Sequence, residues 1–254
     1  MLVRHSWKNT PWFEKHFTAL NTAVMDAIKD DTDREDVINW HPTRVFEYPW
    51  TLENCPPNGK VFDFGHNLQF SVGLLGLGVE HVTVHSIFID INGIGRIFPW
   101  ENDFHGGIFV NKCYEKYKHN VTNVLGLPQD LDFIKDESYD TVYCLSVIEH
   151  VPEAEVSGVA EFMWRILKPG GKLAFTCDWY PKFAVGDGIE SYVINHNLGE
   201  YLAKWNVKPE QPLTEIPWSK EFDSSLWRDK DVFMLEWNGQ PLVVYCFTVT
   251  KPKC

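Results

Sequence analysis

The stretch Val61-Phe-Asp-Phe-Gly-His-Asn-Leu-Gln-Phe70 opens as a nucleotide-binding turn does: a short apolar run, then Asp63, one residue, and Gly65. Glycine there lets the backbone approach a ligand. The stretch does not continue in that way, because the next two positions where a cofactor loop carries glycine hold Asn67 and Gln69. Asparagine tolerates left-handed backbone angles, so Asn67 can keep the turn. His66 and Gln69 crowd it or add hydrogen bonds. Further on, Asp178-Trp-Tyr-Pro181 follows an apolar run. Asp178 there can hold an amine or a hydroxyl while Trp179 and Tyr180 wall a pocket. An ordinary loop with a packed aromatic explains the same residues equally well. Asp103-Phe-His-Gly-Gly107 reads either as a ligand loop or as a glycine-rich surface turn. His81 and His85 are four apart on a presumed strand, hence on one face. A metal needs a third ligand, and no motif places Asp90 or His105 there, so no metal site is expected.

These groups need a scaffold, and its elements are readable. Thr10 caps and Pro11 starts a helix to Lys29, with Phe13, Phe17, Leu20, Val24 and Ile28 near helical spacing. A Trp/Pro-rich connector, Asn39 to Trp50, follows, and Pro56-Pro57-Asn58-Gly59 breaks the chain. Strands are expected at Lys60–Phe64, Val82–Ile91 (a strand or a strand plus turn), Val121–Val124, Thr141–Leu145 and Lys172–Cys177. Helices are expected at Leu68–Leu77 and Ala154–Leu167. This alternation predicts a doubly wound, mostly parallel α/β sheet, with ligands at the C-terminal ends of its strands. Asp231–Trp237 and Pro241–Thr250 flank Asn238-Gly239, the strongest short hairpin signal, so the sheet is expected to end in an antiparallel β-hairpin. The expected organisation is an N-terminal helical extension or lid over 1–58 and a main domain over 59–254. The main domain carries a substrate cap at about 178–230, with one helix, Leu198–Trp205. A long irregular segment of that kind is more often a lid than idle loop.

Composition narrows the partners. The chain has 254 residues, 44% hydrophobic and 23% charged, with a formal net charge of −12. Nucleic acid and anionic membranes are held through Lys and Arg, so neither is an expected partner. Six cysteines include no CxxC pair, which suits reduced core thiols. There is no apolar signal core and no run long enough to span a bilayer. A soluble, cytoplasmic protein is expected.

The most informative segment runs from Asp136-Glu-Ser-Tyr-Asp-Thr-Val-Tyr-Cys-Leu-Ser-Val-Ile-Glu-His-Val-Pro152 to Arg165-Ile-Leu-Lys-Pro-Gly-Gly-Lys-Leu-Ala-Phe-Thr176. It resembles class I S-adenosylmethionine (SAM)-dependent methyltransferases, in which D-x-S-[FY]-D-x-V leads to an [LI]-E-H loop, a helix, and R-x-L-K-P-G-G before the next strand. Lys60 to Gly65 matches more loosely, and the final hairpin fits. The residues also make sense alone: Asp140 can hydrogen-bond at the entry of a buried strand, and Lys168-Pro-Gly-Gly171 stops a helix and turns. The resemblance implies a Rossmann-like methyltransferase fold with SAM as cofactor. Asp63 would orient the loop or meet the amino-acid end of SAM, and Gly65 would admit the cofactor. Loop N–H groups at a helix start suit its carboxylate. Ser146 and Val147 would lie near the sulfonium or the acceptor. His150 is either a general base beside the methyl or a structural partner, and Glu149 reads as structural. Arg44 and Glu47-Tyr-Pro-Trp50 resemble a lid segment of some small-molecule and sugar methyltransferases, where Arg44 or Tyr48 would contact the substrate or the SAM carboxylate; a packed connector is the alternative.

Three departures from that family stand out: the altered turn at His66, Asn67 and Gln69; the absence of an acid about 20 residues past Asp63; and the absence of an acid after the third strand. Asp90 is the nearest acid for the second slot, and Gln129 or Asp130 for the third. The sequence therefore points to a methyltransferase acting on O or N of a small molecule or sugar-like metabolite. The alternatives are a SAM-using, non-methylating cyclisation of the cofactor's own side chain, or a cofactor-free scaffold. Oligomeric state is not readable.

Overall fold

Apolar β-branched and aromatic runs become the buried strands. The computed structural model describes residues 11–28, 42–65, 68–86, 89–90, 95–96, 117, 119–179, 198–210, 233–237 and 240–253. Among them are helices α1 (Pro11–Ile28), α2 (Pro42–Asn54), α3 (Leu68–Gly76), α4 (Glu153–Ile166) and α5 (Leu198–Lys204). The strands are β1 (Val61–Phe64), β2 (Val82–Ser86), β3 (Ile89–Asp90), β4 (Gly95–Arg96), β5 (Val121–Leu125), β6 (Tyr139–Leu145), β7 (Leu167–Trp179), β8 (Phe233–Trp237) and β9 (Gln240–Thr250). Seven form one sheet in the order β5-β2-β1-β6-β7-β9-β8. The first five run parallel, whereas β9 pairs antiparallel with both β7 and β8. This is the expected doubly wound sheet with its antiparallel end.

The two faces of the sheet bury different partners, as the two-residue period of a strand requires. Phe62, Phe64, Val142, Cys144, Leu173, Phe175 and Cys177 pack with Val159, Phe162 and Met163 of α4. Val61, Tyr143, Leu145 and Ala174 point the other way, into a core with Leu20, Val24, Tyr48, Leu52, Phe70 and Leu74 of α1, α2 and α3. Each large apolar side chain so buried contributes about 1.5–3 kcal/mol. By the same parity Asp63, Thr176 and Asp178 fall on the α1–α3 face.

Four expectations need correction. The Trp/Pro-rich connector is largely α2, with Pro49 inside the helix. An internal proline costs a helix about 3 kcal/mol, here offset by burying Phe46, Tyr48, Leu52 and the following Cys55. The second strand stops at Ser86, and Ile89–Asp90 pairs instead with Gly95–Arg96 in a separate ribbon. Asp90 therefore does not lie on the second strand of the main sheet. The Lys168-Pro-Gly-Gly171 turn is absorbed into the start of β7 as a register shift, between Tyr139↔Leu167 and Thr141↔Lys172. Gly170 takes φ +79° there, and a Cβ would meet Lys253. Finally, β6 begins two residues early, at Tyr139. The Asp140 carboxylate does accept at the strand entry, from the Lys60 N–H at 2.9 Å, and it also holds Lys168 Nζ at 2.7 Å. No helix among the described residues is long and apolar enough to cross a membrane.

Candidate active site

Where β1, β6 and β7 end, their polar residues meet α2. Along that helix Thr43, Glu47 and Thr51 recur every four residues and are fully buried, a polar stripe turned inward. Glu47 carries the charge of the stripe. Its carboxylate ion-pairs with Arg44 and accepts a hydrogen bond from Ser146 Oγ at the end of β6. Burial alone would raise its pKa, but Arg44, Ser146 and Thr176 outweigh that and keep Glu47 ionised. Burial likewise opposes the charge on Arg44, and Glu47, Tyr48 and Asp178 more than offset it.

Ser146 is bent to suit. Its φ of +47° is a left-handed conformation that costs an L residue about 1–2 kcal/mol. The bond to Glu47 helps hold it there, as do two from its N–H, to Thr176 O at 2.8 Å and Thr176 Oγ1 at 3.1 Å. The next residue, Val147, lies over Gly65: with φ +83° at Gly65, a Cβ would sit 2.3 Å from both Val147 methyl groups. The Asp63 carboxylate, fully buried, accepts from Ser71 Oγ of α3 at 2.5 Å.

Two more carboxyls complete the cluster. Glu149, 1% exposed, accepts the Asp178 N–H at 3.0 Å through Oε1. Its Oε2 has no hydrogen-bond partner among the described residues, nor has Oδ1 of Asp178, which is 9% exposed. Burial pushes Glu149 up to about 8. Burial, then the charges of Glu47 and Glu149, push Asp178 well above the carboxylate range. The site thus holds one fixed ion pair beside two carboxyls that keep their protons near neutral pH.

The sequence-chosen residues divide. Asp63, Gly65, Ser146, Val147, Asp178 and Arg44 converge on these strand ends. Tyr48 packs its ring into the core, 5.0 Å from Phe70, while its hydroxyl hydrogen-bonds Arg44 at the edge of the same cluster and is pushed up in pKa by burial. His150 lies half-buried on a 3-10 turn, its N–H bonded to Val147 O at 2.9 Å. Gln129 is exposed on the turn after β5, and the Asp130 carboxylate accepts the Leu127 N–H at 3.1 Å. Trp179 ends β7 opposite Val243. His66, Asn67, Tyr180, the 103–107 loop and most of the 178–230 cap lie outside the described residues. Glu47 and the inward role of Glu149 were missed. The four-residue spacing of Thr43, Glu47 and Thr51 was the available signal for the first.

At the β2 end the chemistry is different. His85 is stacked 4.4 Å from Phe64 and 6.0 Å from Phe62, with Nε2 donating to Gly126 O at 2.9 Å. Its Nδ1 has no hydrogen-bond partner among the described residues, and burial lowers the ring to about 4. His81 bonds Thr122 Oγ1 at 3.0 Å. Among the described residues no three His, Cys, Asp or Glu side chains are grouped to hold a metal.

Comparison with known proteins follows this geometry. A family model described as a methyltransferase domain matches residues 108–175. No curated protein matches the chain. Among solved structures, the [4+2]-cyclase SpnF has a TM-score of 0.54 at 12% identity, covering 96% of this chain and 98% of that one. Geranyl diphosphate methyltransferase in complex with SAM has a TM-score of 0.52 at 11% identity, covering 80% and 84%. The Burkholderia thailandensis 1,6-didemethyltoxoflavin-N1-methyltransferase, with its substrate and S-adenosylhomocysteine bound, has a TM-score of 0.52 at 12% identity, covering 94% and 90%. The chain has the class I methyltransferase fold, and the family match falls on the segment that carried the resemblance in the sequence.

Proposed function

We propose that the chain is a class I SAM-dependent methyltransferase that moves a methyl group to O or N of a small molecule or sugar-like metabolite. The observation that carries this reading is the gathering of buried polar residues, Asp63, Ser146, Glu149 and Asp178, at the C-terminal ends of β1, β6 and β7. In an open α/β sheet that is where a ligand binds.

The residues fit the amino-acid end of SAM. Gly65 has the left-handed turn that a close backbone approach requires. Helix α3 starts at Leu68, so its first N–H groups are available to a carboxylate near the end of β1. On the acceptor's side, the Glu149 and Asp178 oxygens that have no partner among the described residues suit hydrogen-bond donors. When bound, the sulfonium supplies a methyl that is already activated. The chain's own tasks are to align the acceptor, exclude water and take up a proton. On this reading Asp178 takes that proton up once its own has been displaced, and Glu149 holds its backbone N–H. Ser146 and Val147 shape the approach from β6.

The test is calorimetric titration of SAM and S-adenosylhomocysteine into wild type and Asp63→Asn. Micromolar binding, weakened about tenfold or more in the variant, supports the reading. Absence of heat and of any thermal shift at millimolar SAM overturns it. One observation favours a second reading: β2 carries no acid at its end, so the nucleoside grip differs. Under that reading SAM is bound but not used for methylation. Product analysis separates the two, since S-adenosylhomocysteine marks methyl transfer and methylthioadenosine marks attack on the cofactor's side chain.

A further inference from the structure

The Glu149–Asp178 pair is more than a generic polar wall. Both side chains are at least nine-tenths buried, they come from adjacent segments at the strand ends, and each has one oxygen without a hydrogen-bond partner among the described residues. Three neighbouring donor groups among the described residues have partners. The Asp178 N–H goes to Glu149, Ser146 Oγ goes to Glu47, and the Arg44 guanidinium is paired with Glu47. Once ionised, the pair offers a ligand only acceptor oxygens. A ligand that satisfies both must bring at least two donor hydrogens and must not bring negative charge. An ammonium carries three N–H donors, a hydroxyl one, a carboxylate or phosphate none. Leaving either oxygen dry and unpaired is unfavourable, and a matching donor recovers that loss.

We infer that Glu149 and Asp178 together seat the basic nitrogen of an amine acceptor, making the chain an N-methyltransferase of amine-bearing small molecules. This deepens the methyl-transfer reading and rests on it. The proton balance follows from the pair. Bound as an ammonium, the acceptor displaces a proton from the pair to solvent and gains a carboxylate partner. The ammonium then passes one proton to that carboxylate. The freed lone pair forms an N–C bond to the methyl as the C–S bond breaks, its electrons staying on sulfur to leave a neutral thioether. The methylated nitrogen is again cationic, and the proton held by the pair returns to solvent. Burial supports the first step, because it holds both carboxyls protonated until a cation arrives.

A basic nitrogen also sits at the amino-acid end of SAM, and the experiment separates the two sources. Phenethylamine and 1,4-diaminobutane are titrated near neutral pH into the full chain, with and without S-adenosylhomocysteine, in phosphate and in Tris. Phenethyl alcohol and butane-1,4-diol are the controls. The expected result is amine binding with net proton release, at least about tenfold tighter than the alcohols. In infrared spectra the protonated-carboxyl stretch of wild type should fall as amine is added. Asp178→Asn and Glu149→Gln should each weaken amine binding about tenfold and change S-adenosylhomocysteine affinity less than about twofold. Should a variant not fold, the proton release and the infrared change in wild type decide alone. Alcohols binding as tightly as amines, or amine binding without proton release, would overturn the assignment. So would a parallel loss of S-adenosylhomocysteine affinity in the variants, since the pair would then hold the cofactor's nitrogen. Amine binding with proton release but no S-adenosylhomocysteine binding would leave the pair assigned and sink methyl transfer. The reverse pattern sinks the pair alone.

Discussion

The C-terminal edge of the sheet has two unlike halves. Beneath α2, where β6 and β7 end, Arg44, Glu47, Ser146, Glu149 and Asp178 make a buried polar cluster. Across β1, where β2 and β5 end, the corresponding interior is aromatic: His85 lies against Phe64 and Phe62, with Phe162 behind. One half keeps charge out of water by pairing it; the other keeps a titratable ring neutral by stacking it. Among the described residues, buried polar atoms without partners occur in both halves, Glu149 Oε2 and Asp178 Oδ1 in the first and His85 Nδ1 in the second, but only the first half also carries an ion pair. If the protein binds SAM, its grip is asymmetric, firm at the amino-acid end and unconventional at the nucleoside end.

The largest break in this comparison is Glu47→Ala. It strands Arg44 without its buried partner and frees Ser146 from a left-handed backbone it adopts only under constraint. Removing one member of a buried ion pair costs about 3–5 kcal/mol, and urea unfolding should register a loss of that size. A loss under about 1 kcal/mol would mean that α2 is not tied to the strand ends through this carboxylate.

Next are the opposed pH responses of the two halves. His85 titrates near 6.5 when unfolded and at about 4 when folded. Its contribution to stability is complete above 6.5 and is lost as pH falls toward 4, about 3 kcal/mol in all. Glu149 runs the other way, from 4.5 unfolded to about 8 folded. The folded state holds its proton, so that contribution is complete below 4.5 and is lost as pH rises toward 8, about 5 kcal/mol in all. Asp178 adds to the same alkaline limb. Between pH 4.5 and 6.5 the His85 gain offsets one carboxyl's loss, so urea midpoints should fall less steeply there than from 6.5 to 8, with His85→Phe removing that difference and Glu149→Gln making the fall shallower. A variant that shifts the whole curve without changing either slope would separate that residue from the titration.

How much of this was readable in the sequence differs between the halves in the same way. The parallel strands, the closing hairpin and the role of Asp140 were legible because each depends on local pattern. The family resemblance pointed to Asp63, Gly65 and Ser146 for the same reason. Helix α2 was not, because Pro49 argues against a helix locally and only tertiary burial of Phe46, Tyr48 and Leu52 overrides it. With α2 hidden, Glu47 could not be placed beside Ser146, 99 residues away. The second strand was overextended because Ile87 to Ile91 continues its apolar run, and nothing local marks Ser86 as the end. His85 was grouped with His81 as a remote metal candidate, although the aromatic residues of β1 were the better clue to its surroundings.

A smaller effect is expected where Gly65 meets Val147. Gly65→Ala combines a positive φ with a Cβ against two methyl groups. It should cost about 2 kcal/mol and weaken SAM binding. Adding Val147→Ala removes the methyl clash but not the backbone strain, so the double variant should recover part of the stability by urea unfolding. Full recovery would place the whole cost in packing.

The smallest effect tests the link between the halves. Tyr139 opens β6, its ring lies 5.0 Å from Phe62, and its hydroxyl donates to Thr83 Oγ1 of β2 at 3.0 Å. That bond passes over β1 at the N-terminal edge of the sheet, opposite the site. Tyr139→Phe removes the donor and leaves the ring, so the loss should be about 1 kcal/mol, the net value of a buried neutral hydrogen bond. Because the bond is remote from the strand ends, calorimetry should find SAM affinity unchanged. A variant that keeps its stability but loses affinity would show that the two halves are coupled through the sheet, and that the aromatic half is part of the grip after all.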